Sequence, residues 1–171
     1  MKNSRFKEYR IKQLCRNDIS DLQGLCEKCS DYYILDQGTV ANEDAARKIL
    51  DALPPDKTLD DQYNLGIYDS DNNLLGIVNI IDSYPENGSW MLGLILIDPS
   101  KRNIGLGRYF HQEIINFAKT ADGKKIIIGV LEDNQIALRF WKSIGYKLVK
   151  ETKQDRGNNA TKTVLVFSLD I

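Results

Sequence analysis

Seven consecutive residues carry the clearest chemical signal in this sequence: Arg102-Asn103-Ile104-Gly105-Leu106-Gly107-Arg108, with Lys101 just ahead of them. The two glycines let the backbone come close to a ligand. Leu106 also begins an apolar pattern of helical period, continued by Phe110, Ile114, Phe117 and Ala118. A helix that starts there offers unpaired N–H groups and the positive end of its dipole to an anion. Ahead of the loop an apolar run, Met91 to Ile97, is stopped by Asp98-Pro99 and reads as a strand. A strand, a basic glycine-bearing turn and a helix together point to phosphate binding.

The kind of phosphate ligand depends on the residues around the glycines. A Walker loop ends in Gly-Lys-Ser or Gly-Lys-Thr, and the corresponding place reads Gly107-Arg108-Tyr109. A dinucleotide fingerprint needs a third small residue where Phe110 stands, which is too large for a helix packed closely on a strand. Both readings fail on side-chain size or chemistry.

A second cluster follows about twenty residues on. The run Ile126 to Leu131 reads as a strand, and after it come Asn134-Gln-Ile-Ala137 and Phe140-Trp141-Lys-Ser-Ile-Gly145-Tyr146. The loop Arg102-x-x-Gly105-x-Gly107, followed at this spacing by Asn-x-x-Ala and a Gly-Tyr pair, resembles the coenzyme A site of the GNAT superfamily of N-acetyltransferases. The resemblance covers roughly residues 89 to 150. It implies an α/β, α+β layered domain: a central mixed, mostly antiparallel sheet with a V-shaped split, flanked by about four helices. It also implies acetyl-CoA as cofactor. The contacts would come from Ile95, Leu96 and Ile97 on the central strand, from Arg102, Asn103, Ile104, Gly105, Leu106, Gly107 and Arg108, and from Asn134, Ala137 and Trp141. Asn134 serves equally well as the N-cap of the helix that follows it. The V would make use of Gly93 and Gly129, which lie inside two strands, where glycine also marks bulges or tight packing.

The same resemblance frames the catalytic question. A primary amine has a pKa near 10.4, so only about one in a thousand is neutral at pH 7, and its attack on a thioester calls for a base. The family often places a glutamate on the central strand, yet Ser89 to Ile97 holds no acid. Glu86 and Asp31 are the leading candidates for the base, with Asp82, Glu132, Tyr32 and Tyr33 behind them, and a water relay or positioning alone stays open. The usual general acid is a tyrosine, and its position is held by Trp141, whose indole N–H donates a hydrogen bond but not a proton. A coenzyme A-binding module with weak or lost chemistry is therefore the rival to an enzyme, and a nucleotide-binding domain is a third reading. Trp90, Tyr84, Tyr32 and Tyr33 are either pocket lining or core. The acids Asp31, Asp36, Glu43, Asp44, Asp56, Asp60 and Asp61 either attract a cationic acceptor or serve solubility.

Composition sets the bounds. The chain of 171 residues suits a single domain over 1–171, and 42% hydrophobic content fills one core. A net charge of −1 gives no bulk case for nucleic acid or an anionic membrane. No apolar run reaches the roughly 18 residues of a span, and Met1 to Arg10 lacks a signal-peptide core, so a cytoplasmic location is expected. Cys15, Cys26 and Cys29 suit a reducing compartment. Cys26-x-x-Cys29 lacks the second pair a structural zinc needs, and no metal is expected. His111, the sole histidine, reads as structural. The partners expected are a small-molecule or peptide amine, with the protein a monomer or a homodimer.

Periodicity places the remaining elements. A strand is expected over Glu8 to Cys15 and a helix from Asn17 or Asp18 bearing Ile19, Leu22, Leu25, Cys26 and Cys29; past Asp31 it continues or breaks, and Gly38 ends it. A second helix runs from Glu43 to Leu53, and hairpin strands lie near Tyr63 to Asp69 and Leu74 to Ile81. After the helix Gln135 to Ile144, strands at Tyr146 to Gln154 and Thr161 to Leu169 flank a turn at Arg156 to Ala160, and an exposed edge there can pair with a second subunit.

Overall fold

The structure, a computed structural model, describes residues 8–155 and 161–171. The turn expected over Arg156 to Ala160 lies outside the described residues. The described residues form seven strands and five α-helices, in the order β1 Arg10–Gln13, α1 Ile19–Lys28, α2 Ser30–Gln37, α3 Ala45–Asp51, β2 Gln62–Tyr68, β3 Leu74–Ile81, β4 Ser89–Ile97, α4 Leu106–Thr120, β5 Lys125–Leu131, α5 Gln135–Ser143, β6 Lys147–Asp155 and β7 Thr161–Asp170. The helices number five rather than about four because the first helical stretch breaks at Cys29, whose φ of −88° and ψ of 32° leave the helical well between α1 and α2.

The strands form one sheet in the order β1-β2-β3-β4-β5-β7-β6. Every pairing is antiparallel except that of β4 with β5, which α4 connects as a crossover. That parallel pairing is short, running only from Ser89 with Lys125 to Leu92 with Ile128. Beyond it β4 and β5 part, at Gly93 on one side and Gly129 on the other, which is the split the resemblance implied.

A bulge at Gly93 reorganises β4. Asn79 on β3 faces Leu94 and the next residue, Ile80, faces Leu92, so Gly93 is the extra residue. The bulge reverses which side chains face which layer. Trp90 and Leu92 pack in the cluster under α4 and α5, whereas beyond the bulge Leu96 and Leu94 pack against α1, α2 and α3. The sheet therefore has two cores, the larger with Phe110, Ile114, Trp141 and Phe167, the smaller with Leu22, Leu25, Cys26, Cys29 and Tyr33. Cys26 and Cys29 are buried free thiols, as the helical stripe predicted, and burial pushes Cys29 up to about 11. The last strand pair forms the other edge. Nearly all of β6 is exposed, a strand of Lys147, Lys150, Glu151 and Lys153.

Candidate active site

The phosphate-loop residues are shaped first by local backbone needs. Asp98 closes β4 and accepts bonds from Ser100 N at 2.9 Å, Ser100 Oγ at 2.7 Å and Lys28 Nζ at 3.0 Å, which fixes the turn over Pro99–Lys101. Asn103 and Gly105 then take left-handed conformations, φ 61° and 90°. Glycine removes the steric penalty at the second of these, the N-cap of α4. Because Gly105 has no side chain to cap the helix, and the Tyr109 N–H to Gly105 carbonyl bond of 3.0 Å is the first of the ladder, the N–H groups of Leu106, Gly107 and Arg108 have no partner among the described residues. They form a compact donor cluster in front of a fifteen-residue helix.

Backbone groups also line the split. Asp98 N–H donates to the Leu75 carbonyl at 2.8 Å, so in the alternation of an antiparallel ladder Leu96 and Leu94 bond toward β3. Ile95 and Ile97 consequently direct their N–H and C=O groups to the open side. A cavity of about 270 Å³ occupies the split, with Gly93, Ile95, Gly129, Leu131, Asn134 and Trp141 among its walls. Asn134 is the N-cap of α5, accepting the Ala137 N–H at 3.0 Å, and it reaches the cleft as well. Trp141 is 4% exposed and makes edge-on contacts with Phe140, Tyr146 and His111, ring centroids 4.9, 5.1 and 5.6 Å away.

Three of the sequence-derived assignments change in this geometry. Arg102 is not aimed outward at a phosphate alone: Nε donates to the Ile97 carbonyl at 2.9 Å, and the two terminal nitrogens grip Asp31 at 2.5 and 3.1 Å. Three of its five N–H groups are engaged, so the arginine braces α2 against the end of β4 and keeps two donors for a ligand. Asp31 spends its carboxylate in this pair. The Arg102 guanidinium holds it below the usual carboxylate range, and it does not line the cleft, so it is poorly suited as a base. Glu86 lies before the first residue of β4, at the closed end where β4 and β5 are still paired, and Lys125 at 2.5 Å holds its carboxyl below the usual range. Neither acid meets Trp141.

The structure brings other polar groups to the cleft. Asp36, on α2, is 6% exposed and lines it together with Tyr32 and Gln154. Asn79, the polar residue inside the apolar strand β3, is 6% exposed and stands behind Gly93. Of the aromatics, Trp90 is fully buried and stacks on Tyr63 at 5.5 Å, a core role, while Tyr32 reaches the cleft. His111 is buried with Nε2 2.9 Å from the Tyr146 hydroxyl, and it supports the cleft wall from behind.

The model of the acetyltransferase (GNAT) family matches residues 27–146, a span that holds the loop, the split strands and Asn134. The chain is a member of the GNAT acetyltransferase family. The GNAT fold extends over nearly all of it: the ribosomal-protein-S18-alanine N-acetyltransferase of Escherichia coli superposes with a TM-score of 0.70 at 13% identity, over 95% of this chain and 94% of that one. An acetyltransferase of Thermus thermophilus gives 0.73 at 21% identity over 95% and 97%. A GCN5-related N-acetyltransferase of Kribbella flavida gives 0.69 at 16% identity over 96% and 99%. At such identities the likeness is one of fold. No curated protein sequence matches this one. GNAT acetyltransferases use acetyl-CoA as acetyl donor, and three features here suit that ligand. The N–H cluster of α4 suits a pyrophosphate, the open backbone edge at Ile95, with the Ile97 N–H beyond it, suits the amides of a pantetheine arm, and two cleft glycines leave room for it. No helix is long and apolar enough to cross a membrane among the described residues.

Proposed function

We propose that this GNAT protein transfers the acetyl group of acetyl-CoA to the primary amine of a small molecule or peptide, by direct attack in a ternary complex. The observation that carries the reading is the alignment of the N–H groups of Leu106, Gly107 and Arg108 with a strand split whose exposed edge is the Ile95 to Ile97 backbone. Bound there, acetyl-CoA supplies a thioester carbon for the amine and a thiolate leaving group.

The protein's own residues then hold and move charge. The N–H of Ile95 points into the split, and a donor there stabilises negative charge on an acyl oxygen; losing one such donor costs about 2.7 to 4 kcal/mol in related chemistry. Asp36 is the carboxylate in the cleft lining, and it takes the proton that the amine nitrogen releases as its bond to the acyl carbon forms. The C–S bond breaks with its electron pair on sulfur. A thiol of pKa about 8.5 leaves readily as thiolate, so Trp141 serves as a wall and a hydrogen-bond donor and need not be an acid.

A thermal melt with acetyl-CoA, against matched ATP and NAD, tests the cofactor. At a hundredfold excess over its dissociation constant a ligand adds about 2.7 kcal/mol, a rise of about 5 to 11 °C for a domain of this size. Amine-dependent release of free thiol tests the chemistry. Absence of any shift with acetyl-CoA sinks the reading, and a shift without amine-dependent release leaves a coenzyme A-binding module, the alternative favoured by the Arg102 hold on Asp31 and by Trp141.

A further inference from the structure

A second cavity, of about 230 Å³, lies under α2 and α3 against β3 and β4 and meets the cleft at Tyr32, Gly93 and Leu94. Its inner end is Asn79. The Asn79 amide donates from Nδ2 to Asn64 Oδ1 at 2.8 Å, a buried bond that fixes which way the amide faces. Its Oδ1 faces Gly93, where a Cβ would stand only 2.8 Å away, and no described residue donates to it. Asn79 lines the cavity, so this oxygen is an acceptor open to an N–H that comes with a ligand.

The rest of the lining indicates what that ligand carries. The body is apolar, with Ile49, Leu94, Ala45 and Ala52. The rim is Lys48, an exposed side chain that forms no ion pair among the described residues, with the neutral amides of Gln37 and Asn42. No carboxylate lines the cavity, although the segment around it is rich in acids. A polycation finds no counter-charge in its lining, and an anion finds one at the exposed rim, whereas Asn79 is buried.

We infer that the acceptor is a slender primary amine with an anionic group at the opposite end, of the ω-amino carboxylate class. Its amine N–H bonds to Asn79 Oδ1 beside Gly93, its methylenes lie on Ile49 and Leu94, and its carboxylate meets Lys48. The inference rests on the acetyl transfer proposed above and follows the same balance: an N–C bond forms, the C–S bond breaks, and the amine proton leaves by way of Asp36.

Calorimetric titration of the full chain tests it, with coenzyme A present, using ε-aminocaproate, hexylamine and norleucine. The ω-amino acid should bind about fivefold to tenfold more tightly than hexylamine, as one charge-assisted contact warrants. Lys48→Met, a change at an exposed side chain, should abolish that preference and leave hexylamine binding as it was. Equal or tighter binding of hexylamine, preference for norleucine, no effect of Lys48→Met, or no binding of any of the three would overturn the inference. Titration with coenzyme A alone separates the two levels: if coenzyme A binds and hexylamine still drives thiol release, only the acceptor class falls, whereas failure of coenzyme A to bind removes the reading beneath it.

Discussion

Lowering the pH from 7 to 5 should destabilise this protein through one side chain. His111 is 3% exposed, it is the sole histidine, and burial, with a smaller contribution from Arg108, depresses its pKa from 6.5 to about 4. Facing it are the Tyr146 hydroxyl and the Trp141 ring, neither of which offers a negative charge to an imidazolium. In the unfolded chain the ring protonates near 6.5, so as pH falls below that value the unfolded state binds a proton the native state refuses. Stability is therefore full above 6.5 and declines until the folded pKa near 4 is passed. At pH 5 the loss relative to pH 7 amounts to about 2 kcal/mol, or a midpoint lower by about 4 to 8 °C. Carboxylates held below their usual range, such as Asp18 and Asp61, add their own loss only at lower pH, nearer 4, which keeps the upper window clean. Melts at pH 7, 6 and 5 measure the loss, and the single imidazole resonance followed by NMR reads the pKa itself. His111→Gln should flatten the dependence. A native imidazole midpoint near 6.5, or a wild-type midpoint unchanged between pH 7 and 5, would refute the reasoning.

Other substitutions separate fold from chemistry. In Gly107→Trp, a Cβ meets only the Phe140 ring, at 3.7 Å, so the far-ultraviolet spectrum and core should persist while the acetyl-CoA melt shift disappears. Gly105→Ala forces a side chain into φ 90° and should cost about 1 to 2 kcal/mol by denaturant titration, with weaker acetyl-CoA binding besides. Asp36→Asn should lower amine-dependent thiol release by about 100-fold to 10,000-fold at unchanged acetyl-CoA affinity. Asp31→Asn, in the same assay, should keep more than about a tenth of wild-type turnover, because it loosens an exposed ion pair of at most about 1 kcal/mol; a loss as deep as that of Asp36→Asn would return Asp31 to the catalytic role.

The phosphate loop was legible because its signal is local. Glycine spacing, the Asp98-Pro99 stop and the helical period from Leu106 are all written within about twenty residues, and they specify strand, turn and helix without long-range information. The short parallel pairing of β4 and β5 is a long-range fact. Which end of the pair opens depends on that register, and so Glu86, adjacent in sequence to the central strand, sits at the closed end beside Lys125. Asp31 looked available because nothing local to it reveals Arg102, seventy-one positions away. A bulge is one of several readings of an interior glycine such as Gly93, and the reversal of faces beyond it cannot be read from alternation, which it breaks. Asn79 does leave a trace in the sequence: an amide in the middle of Leu74–Ile81, with a second, Asn64, in the partner strand at the matching register, is a buried polar pair inside an apolar sheet.

The meeting of the two cavities at Gly93 constrains any compound that would join both reactants into one. One cavity lies in the split between β4 and β5 and the other beneath α2 and α3, and Tyr32, Leu94 and the bare backbone of Gly93 line both. A bisubstrate inhibitor has to thread that gap, so its linker must be an unbranched chain. Its potency plotted against linker length would act as a ruler for the distance between sulfur and amine.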